Sequence, residues 1–191
     1  MKIGVLALQG AFIEHIHILQ QLGADTTEVR LPADLKDMDG LIIPGGESTS
    51  ILKIMGDFGL MQPIKLRAQG GLPVWGTCAG MICLANHVNS NGMCTLAVMD
   101  ISVRRNAFGR QVHSFETELS VPALGQEPYH AIFIRAPVIE KVGASVEVLA
   151  KLPDSTPVAA RQDNLLVTSF HPELTKDIRF HQYFLSLIAR K

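Results

Sequence analysis

The sequence is short of the features that mark nucleic-acid-binding, membrane-spanning or disulfide-built proteins. Charge is nearly balanced, with 17 Lys and Arg against 18 Asp and Glu. No long basic run breaks that balance, and polyanion binding needs clustered Lys and Arg, so no nucleic acid is expected as a partner. The one basic spot, VRRNAFGR (103–110), is sized for a small anion. Cysteine is scarce: Cys78, Cys83 and Cys94. An odd number without metal-type spacing excludes a disulfide framework and a zinc site, and it fits a reducing compartment. The apolar opening MKIGVLALQGAF is interrupted at Gln9-Gly10, too short for a membrane span and without a signal-cleavage pattern. A cytoplasmic chain with no membrane partner is expected. Repeats, low-complexity segments and long linkers are missing too, and ALQGAF lacks the glycine fingerprint of a phosphate loop. No metal and no cofactor is expected.

What is present reads as one α/β domain over residues 1–191. The length lies within the usual range for a single domain, and 47% apolar residues supply a full core. KIGVLAL (2–8) has the continuous apolar pattern of a buried strand. AFIEHIHILQQLG follows, with Phe12, Ile16, Leu19 and Leu22 at helical spacing and Gly23 as a stop. Strands are expected at 26–31 and at 39–46, the second ending in a glycine turn. Ser48 reads as the N-cap of a helix to about Met55, and a second helix lies over 61–69. LPVWG is then a strand, and AGMICLAN a helix. This order implies a mostly parallel, flavodoxin-like sheet covered on both faces by helices. Strands at 96–103, 112–119, 131–136, 146–152, 157–162 and 164–170 are expected to extend it in antiparallel fashion. An amphipathic helix over about 176–189 closes the pattern.

Unusual residues recur where these strands end: Gln9-Gly10, PGGES (44–48), Cys78 and HPE (171–173). Ligands in open α/β sheets bind beyond the carboxyl ends of strands. Cys78 sits in G-x-C-x-G between a strand and a helix. It is either a small buried hydrophobe or a nucleophile on a sharp elbow, where a helix start and an imidazole favour the thiolate. Cys83 reads as core. Among seven histidines, His171 stands out: Pro172 biases it to extended backbone, so Glu173, two residues on, can approach the ring and fix its tautomer. His15 and His17 fall on opposite sides of a helix and are no ligand pair, although His15, with Glu14, could face the strand ends. The N–H of Ala79 and one from the Gly45-Gly46 turn are candidate oxyanion donors.

PGGES, GTCAGM and SFHPE together resemble the triad-type glutamine amidotransferases. GVLALQGAFIEH, LIIPGGEST, RRNAFGRQVHSFE, FIRAP and SFHPELTKD extend that resemblance to the glutaminase-subunit family of pyridoxal 5′-phosphate synthases, across residues 4–177. The resemblance implies that Cys78, His171 and Glu173 hydrolyse L-glutamine to glutamate and ammonia through a thioester. Gly46 and Ala79 would form the oxyanion hole. Arg105 would bind the substrate carboxylate, with Gly46, Glu47, Ser48, Ile134 and Arg135 lining the same pocket. It also implies a partner, the synthase subunit that receives the ammonia. Two other readings are a free-standing cysteine hydrolase of the DJ-1-like kind and a flavodoxin-like binding module without catalysis.

Overall fold

Alternation along the central strands sets the layers, because successive side chains of a strand point to opposite faces. The computed structural model describes residues 1–89, 92–105 and 114–189. A seven-stranded sheet is built from β1 (Lys2–Leu6), β2 (Asp25–Val29), β3 (Gly40–Ile43), β4 (Val74–Thr77), β10 (Glu147–Lys151), β11 (Pro157–Gln162) and β12 (Leu165–Thr168), in the order β10-β11-β12-β4-β3-β1-β2. Strands β2, β1, β3, β4 and β12 run parallel, and β11 and β10 complete one edge antiparallel. The order doubles back at β1, with β2 on one side and β3 on the other. That reversal is the switch point at which such sheets open a crevice.

Two cores follow from the alternation. Leu6, Leu41, Ile43, Val74, Leu165 and Val167 face one side, under α2 (Ser48–Asp57), α3 (Met61–Gln69) and α4 (Ala79–Leu84). Ile3, Val5, Ile42, Trp75 and Leu166 face the other, under α1 (Phe12–Gln21) and α5 (Arg179–Ala189). Phe180, Phe184, Leu187 and Ile188 form the inner stripe of α5, at the spacing of one helical face. Each such side chain contributes roughly 1.5–3 kcal/mol when fully buried. Among the described residues, no helix is long and apolar enough to cross a membrane.

The expected antiparallel extension is divided. Only β10, β11 and β12 join the main sheet. β5 (Ala85–Val88), β6 (Met99–Arg104) and β9 (Val138–Val142) form a separate three-stranded sheet, and β7 (Ser114–Leu119) pairs with β8 (Tyr129–Ile134) in a hairpin. Leu119, Tyr129, Ala131 and Phe133 of that hairpin pack into the second core, so its pairing face is spent there. The helix expected over AGMICLAN stops at Leu84, because Ala85 pairs with Met99 in the small sheet. The C-terminal helix begins three residues later than expected, at Arg179, whose N–H donates to the Asp177 carboxylate at 3.1 Å. The first two residues of the strand expected at 112–119 lie outside the described residues.

Two glycines bring the layers into contact at the crevice. A Cβ on Gly80 would lie 1.9 Å from the Ile43 carbonyl oxygen, and one on Gly76 would lie 2.5 Å from the backbone of Gly80. α4 thus rests directly on β3 and β4. Gly80→Ala is expected to destabilise the fold by at least about 1–3 kcal/mol, the usual cost of overpacking. Gly56→Ala meets nothing within 4 Å inside α2, and should stabilise by about 0.5–1 kcal/mol. Denaturant midpoints of the two variants test the contrast. Equal shifts would show that the backbone contact at Gly80 is not tight.

Candidate active site

Four strand ends converge on one place. β4 delivers Cys78, whose backbone N–H donates to the Thr168 carbonyl of β12 at 2.8 Å. Cys78 itself takes the left-handed turn, with φ 47° and ψ −103°. That conformation is rare and costly for a residue with a Cβ. The turn therefore falls on the cysteine, and the flanking glycines serve close packing. Its consequence is a sulfur raised above the sheet at the start of α4, 3.9 Å from the Ile134 carbonyl oxygen at the end of β8.

β12 delivers His171, whose N–H is held by the Ile132 carbonyl at 2.8 Å. Its Nδ1 lies 2.6 Å from Glu173 Oε1. The Glu173 side chain is fully buried and that of His171 is 10% exposed. Burial alone would disfavour a charged ring, but hydrogen bonds to Cys78 and Glu173, and their negative charge, push its pKa up to about 10. The site thus favours an imidazolium between a sulfur and a carboxylate. The expected His171–Glu173 contact is present, but the segment is not extended: Pro172–Leu174 forms a 3-10 turn with His171 at its start.

β3 ends in the glycine turn. A Cβ on Gly45 would stand 2.5 Å from His171 Cε1 and 3.3 Å from Cys78 Cβ, so only glycine allows all three to meet. The Gly45 carbonyl accepts from the Ala11 N–H at 3.2 Å, and the Gln9 side chain accepts from the Glu47 N–H at 2.7 Å. A trans peptide points its N–H opposite its carbonyl, so the Gly46 N–H is turned away from Ala11. Among the described residues, neither the Gly46 nor the Ala79 N–H has an acceptor.

Glu47, rather than Ser48, is the N-cap of α2. Its carboxylate accepts from the Thr49 and Ser50 N–H groups and from both hydroxyls. The longer side chain folds back over the first turn and leaves Ser48 as its first helical residue. Burial opposes ionisation there, but those hydrogen bonds prevail and lower the Glu47 pKa to about 2. Arg105 Nη2 pairs with Glu47 Oε1 at 3.0 Å. Ser48 is buried and its hydroxyl has no partner among the described residues. Arg135 follows Ile134 with a positive φ of 44° and an exposed side chain. Arg104 pairs with Glu140 at 2.9 Å, and Arg110 lies outside the described residues. Cys83 is buried and its thiol is pushed up to about 12, chiefly by burial, as befits core.

Two histidines lie behind the triad-like cluster. His15 is buried on α1, with Nδ1 2.9 Å from His181 Nε2 and Nε2 3.4 Å from both Thr77 Oγ1 and Glu173 Oε2. Glu14 and His17 are exposed, so only His15 of that trio faces inward. His181 was missed in the sequence reading. Its position between Phe180 and Phe184, on the apolar stripe of α5, was the available signal.

The sequence model of the SNO glutamine amidotransferase family matches residues 5–190. A Dehalococcoides mccartyi protein named pyridoxal 5′-phosphate synthase subunit PdxT is 61% identical over 189 residues, covering 98% of this chain and 97% of its own. A Herpetosiphon aurantiacus protein of the same name is 60% identical over 190 residues, covering 98% of this chain and 100% of its own. A crystal structure of glutamine amidotransferase superposes with a TM-score of 0.92 at 46% identity, over 98% of both chains.

Burial lowers the pKa of His15 well below the ordinary imidazole value, helped by the neighbouring His181 and His171, and lowers that of His181 to about 3. Both therefore bind protons more readily when unfolded. Through His181 alone, stability is expected to rise with pH between about 3 and 6.5, by up to about 1.4 kcal/mol per pH unit, and His15 adds to the rise below the ordinary imidazole range. His181→Gln should flatten that slope by one proton. Urea unfolding across this window measures it, and an unchanged slope would mean that His181 titrates normally in the fold.

Proposed function

The chain belongs to the SNO glutamine amidotransferase family, and from that premise we propose that Cys78, His171 and Glu173 carry its glutaminase chemistry, feeding ammonia to a synthase subunit that makes pyridoxal 5′-phosphate. The observation that carries the reading is the convergence of a strained, elbow-mounted cysteine and a histidine already paired at 2.6 Å with a buried carboxylate. Neither a binding module nor an ordinary buried cysteine calls for that arrangement. Residues 1–191 are read as one glutaminase domain.

The chemistry runs in two halves. The Cys78 thiolate attacks the side-chain amide carbon of glutamine, and the carbonyl electrons move onto oxygen. The N–H groups of Gly46 and Ala79, both without an acceptor among the described residues, would take the oxyanion role. Collapse breaks the C–N bond, and His171 gives its proton to the departing nitrogen, so ammonia leaves and a thioester remains. His171, now neutral, takes a proton from water, whose oxygen attacks the thioester. The C–S bond breaks, glutamate forms and the thiolate returns. Glu173 holds the ring with Nδ1 protonated throughout, which leaves Nε2 for the transfers. Arg105 would take the substrate α-carboxylate by charge-assisted hydrogen bonds, exchanging its present partner Glu47. Glu47 then faces the α-ammonium. The orphan Ser48 hydroxyl is a buried polar group that a ligand would satisfy, and Ile134 and Arg135 border the same space.

Cys78→Ala should abolish glutamine hydrolysis, and an electrophilic glutamine analogue should label Cys78 while sparing Cys83 and Cys94. Peptide mass mapping after inactivation checks this. Label found chiefly on another cysteine would sink the assignment.

The partner should act through the start of α1. Ala11 and Gln9 grip the PGGES loop, so a force on residues 9–17 reaches the Gly45-Gly46 peptide. Turned as it is here, that peptide leaves the Gly46 N–H available. In the chain without its partner we propose that the peptide is mostly flipped, presenting its carbonyl in place of the donor, and that docking holds the orientation described here. Losing one such donor costs about 10²–10³ in rate, and glutamate production should rise by that order when the synthase subunit is added. Equal rates with and without it would defeat the regulatory reading.

A further inference from the structure

The buried polar groups do not end at the triad. Behind Glu173 lies a second pair, His15 on α1 and His181 on α5, with no solvent exposure. The contacts run in sequence: His171 Nδ1 to Glu173 Oε1 at 2.6 Å, Glu173 Oε2 to His15 Nε2 at 3.4 Å, and His15 Nδ1 to His181 Nε2 at 2.9 Å. Thr77 Oγ1 stands 3.4 Å from the same His15 nitrogen. Two polar atoms of this group have no hydrogen-bond partner among the described residues: Glu173 Oε2 and His181 Nδ1. They bracket the histidine pair.

Proton bookkeeping fixes the tautomers. A neutral imidazole has one N–H donor and one acceptor nitrogen. Suppose His15 carried its proton on Nδ1. It would donate to His181, leave a lone pair facing the Glu173 carboxylate, and force an orphan N–H onto buried His181 Nδ1. Two uncompensated contacts would result, each costly in a buried site. With the proton on Nε2 instead, His15 donates towards Thr77 and Glu173. His181 Nε2–H then donates to His15 Nδ1, the orphan on His181 is a lone pair, and the unpartnered Glu173 Oε2 lies 3.4 Å from the His15 nitrogen that carries the proton. Burial keeps both rings neutral at ordinary pH, so the carboxylate gains a donor without gaining a counter-charge.

We propose that His15, with its tautomer set by His181, is a positioning residue for the proposed glutaminase site, supplying the donor that holds the second oxygen of Glu173 and so aims the first at His171. This rests on the triad reading given above. A full neutralising partner, such as an arginine, would weaken the pull of Glu173 on the His171 proton. A neutral donor orients the carboxylate and leaves its charge for the imidazolium. Trp75 closes the pocket against water, edge-on to His181 at 4.9 Å and to His15 at 5.6 Å.

The test uses the full chain, assayed with the synthase subunit present. His15→Phe keeps an aromatic ring and removes the donor. kcat for glutamine hydrolysis should fall about ten- to a hundredfold, as expected for losing a hydrogen bond to a charged group, with KM changed less than about twofold. His15→Gln restores an N–H near the Nε2 position and should recover most of that loss. An unchanged kcat in His15→Phe would overturn the proposal, and so would a His15→Gln as slow as the phenylalanine variant. Nitrogen NMR of histidine-labelled wild-type chain needs no variant: both rings should be protonated on Nε2. A proton on Nδ1 of His15 would overturn the assignment. Cys78→Ala run in parallel keeps the two readings apart. Activity surviving there removes the hydrolase reading, while the NMR result still decides the tautomers.

Discussion

A carboxylate taken wholly out of water governs this site. Glu173 has no exposed side-chain surface, and an isolated buried charge would cost several kcal/mol. His171 meets one oxygen at 2.6 Å, and the other lies 3.4 Å from the His15 ring, the donor proposed for it. Each of those rings must in turn be placed, and each comes from a different element. β12 carries His171, α1 carries His15, and α5 carries the His181 that orients His15. Removing water from around the pair also strengthens every interaction within it. Burial opposes charge on the His171 ring, and its elevated proton affinity comes instead from the hydrogen bonds to Cys78 and Glu173 and from their charge, which outweigh that cost.

Holding so many groups together requires the backbone itself to come close. The parallel sheet brings the ends of β1, β3, β4 and β12 side by side, but side-by-side strands lie about 4.8 Å apart, too far for their loops to touch unless side chains are absent. Gly10, Gly45, Gly76 and Gly80 remove them where it matters. The Gly10 α-carbon lies against the Gly45 carbonyl, Gly45 against His171 and Cys78, and Gly80 against β3. Cys78 departs from the pattern, taking a positive φ that glycine would adopt at lower cost, and Arg135 at the neighbouring strand end does the same. At Cys78 that strain falls on the side chain proposed to carry the chemistry.

The ion pair between Arg105 and Glu47 links this cluster to the neighbouring pocket. Glu47 is at once a helix cap, the partner of an arginine and, through its N–H, the point that Gln9 holds. A change at the start of α1 therefore has a covalent and hydrogen-bonded route to both the candidate oxyanion donors and the candidate carboxylate site. The rigid core beneath, with Ile3, Val5, Ile42 and Trp75 at essentially no exposure, confines that change to the loops.

Local pattern in the sequence determined a good deal of this. Periodicity was enough for β1, α1, β3, α2, α3 and β4, because apolar runs and helical spacing act over a few residues. The His171–Glu173 contact was legible in its partners but not in its geometry, since it forms across the start of a 3-10 turn, Pro172–Leu174, rather than along an extended segment. The gathering of PGGES, Cys78 and HPE was legible too, once a parallel sheet was inferred. What the tertiary structure alone decided is long-range. β5 and β9 are short and half polar, and they form only because β6 lies between them. Glu47 displaces Ser48 as the cap because its side chain folds over its own first turn, a choice propensity does not make. Ser48 is left with a buried hydroxyl that has no partner among the described residues. His15 and His181 are 166 residues apart, and no local rule relates them. They meet because α1 and α5 cover the same face of the sheet, and a hydrogen bond between distant elements exists only once that packing has brought both rings out of water.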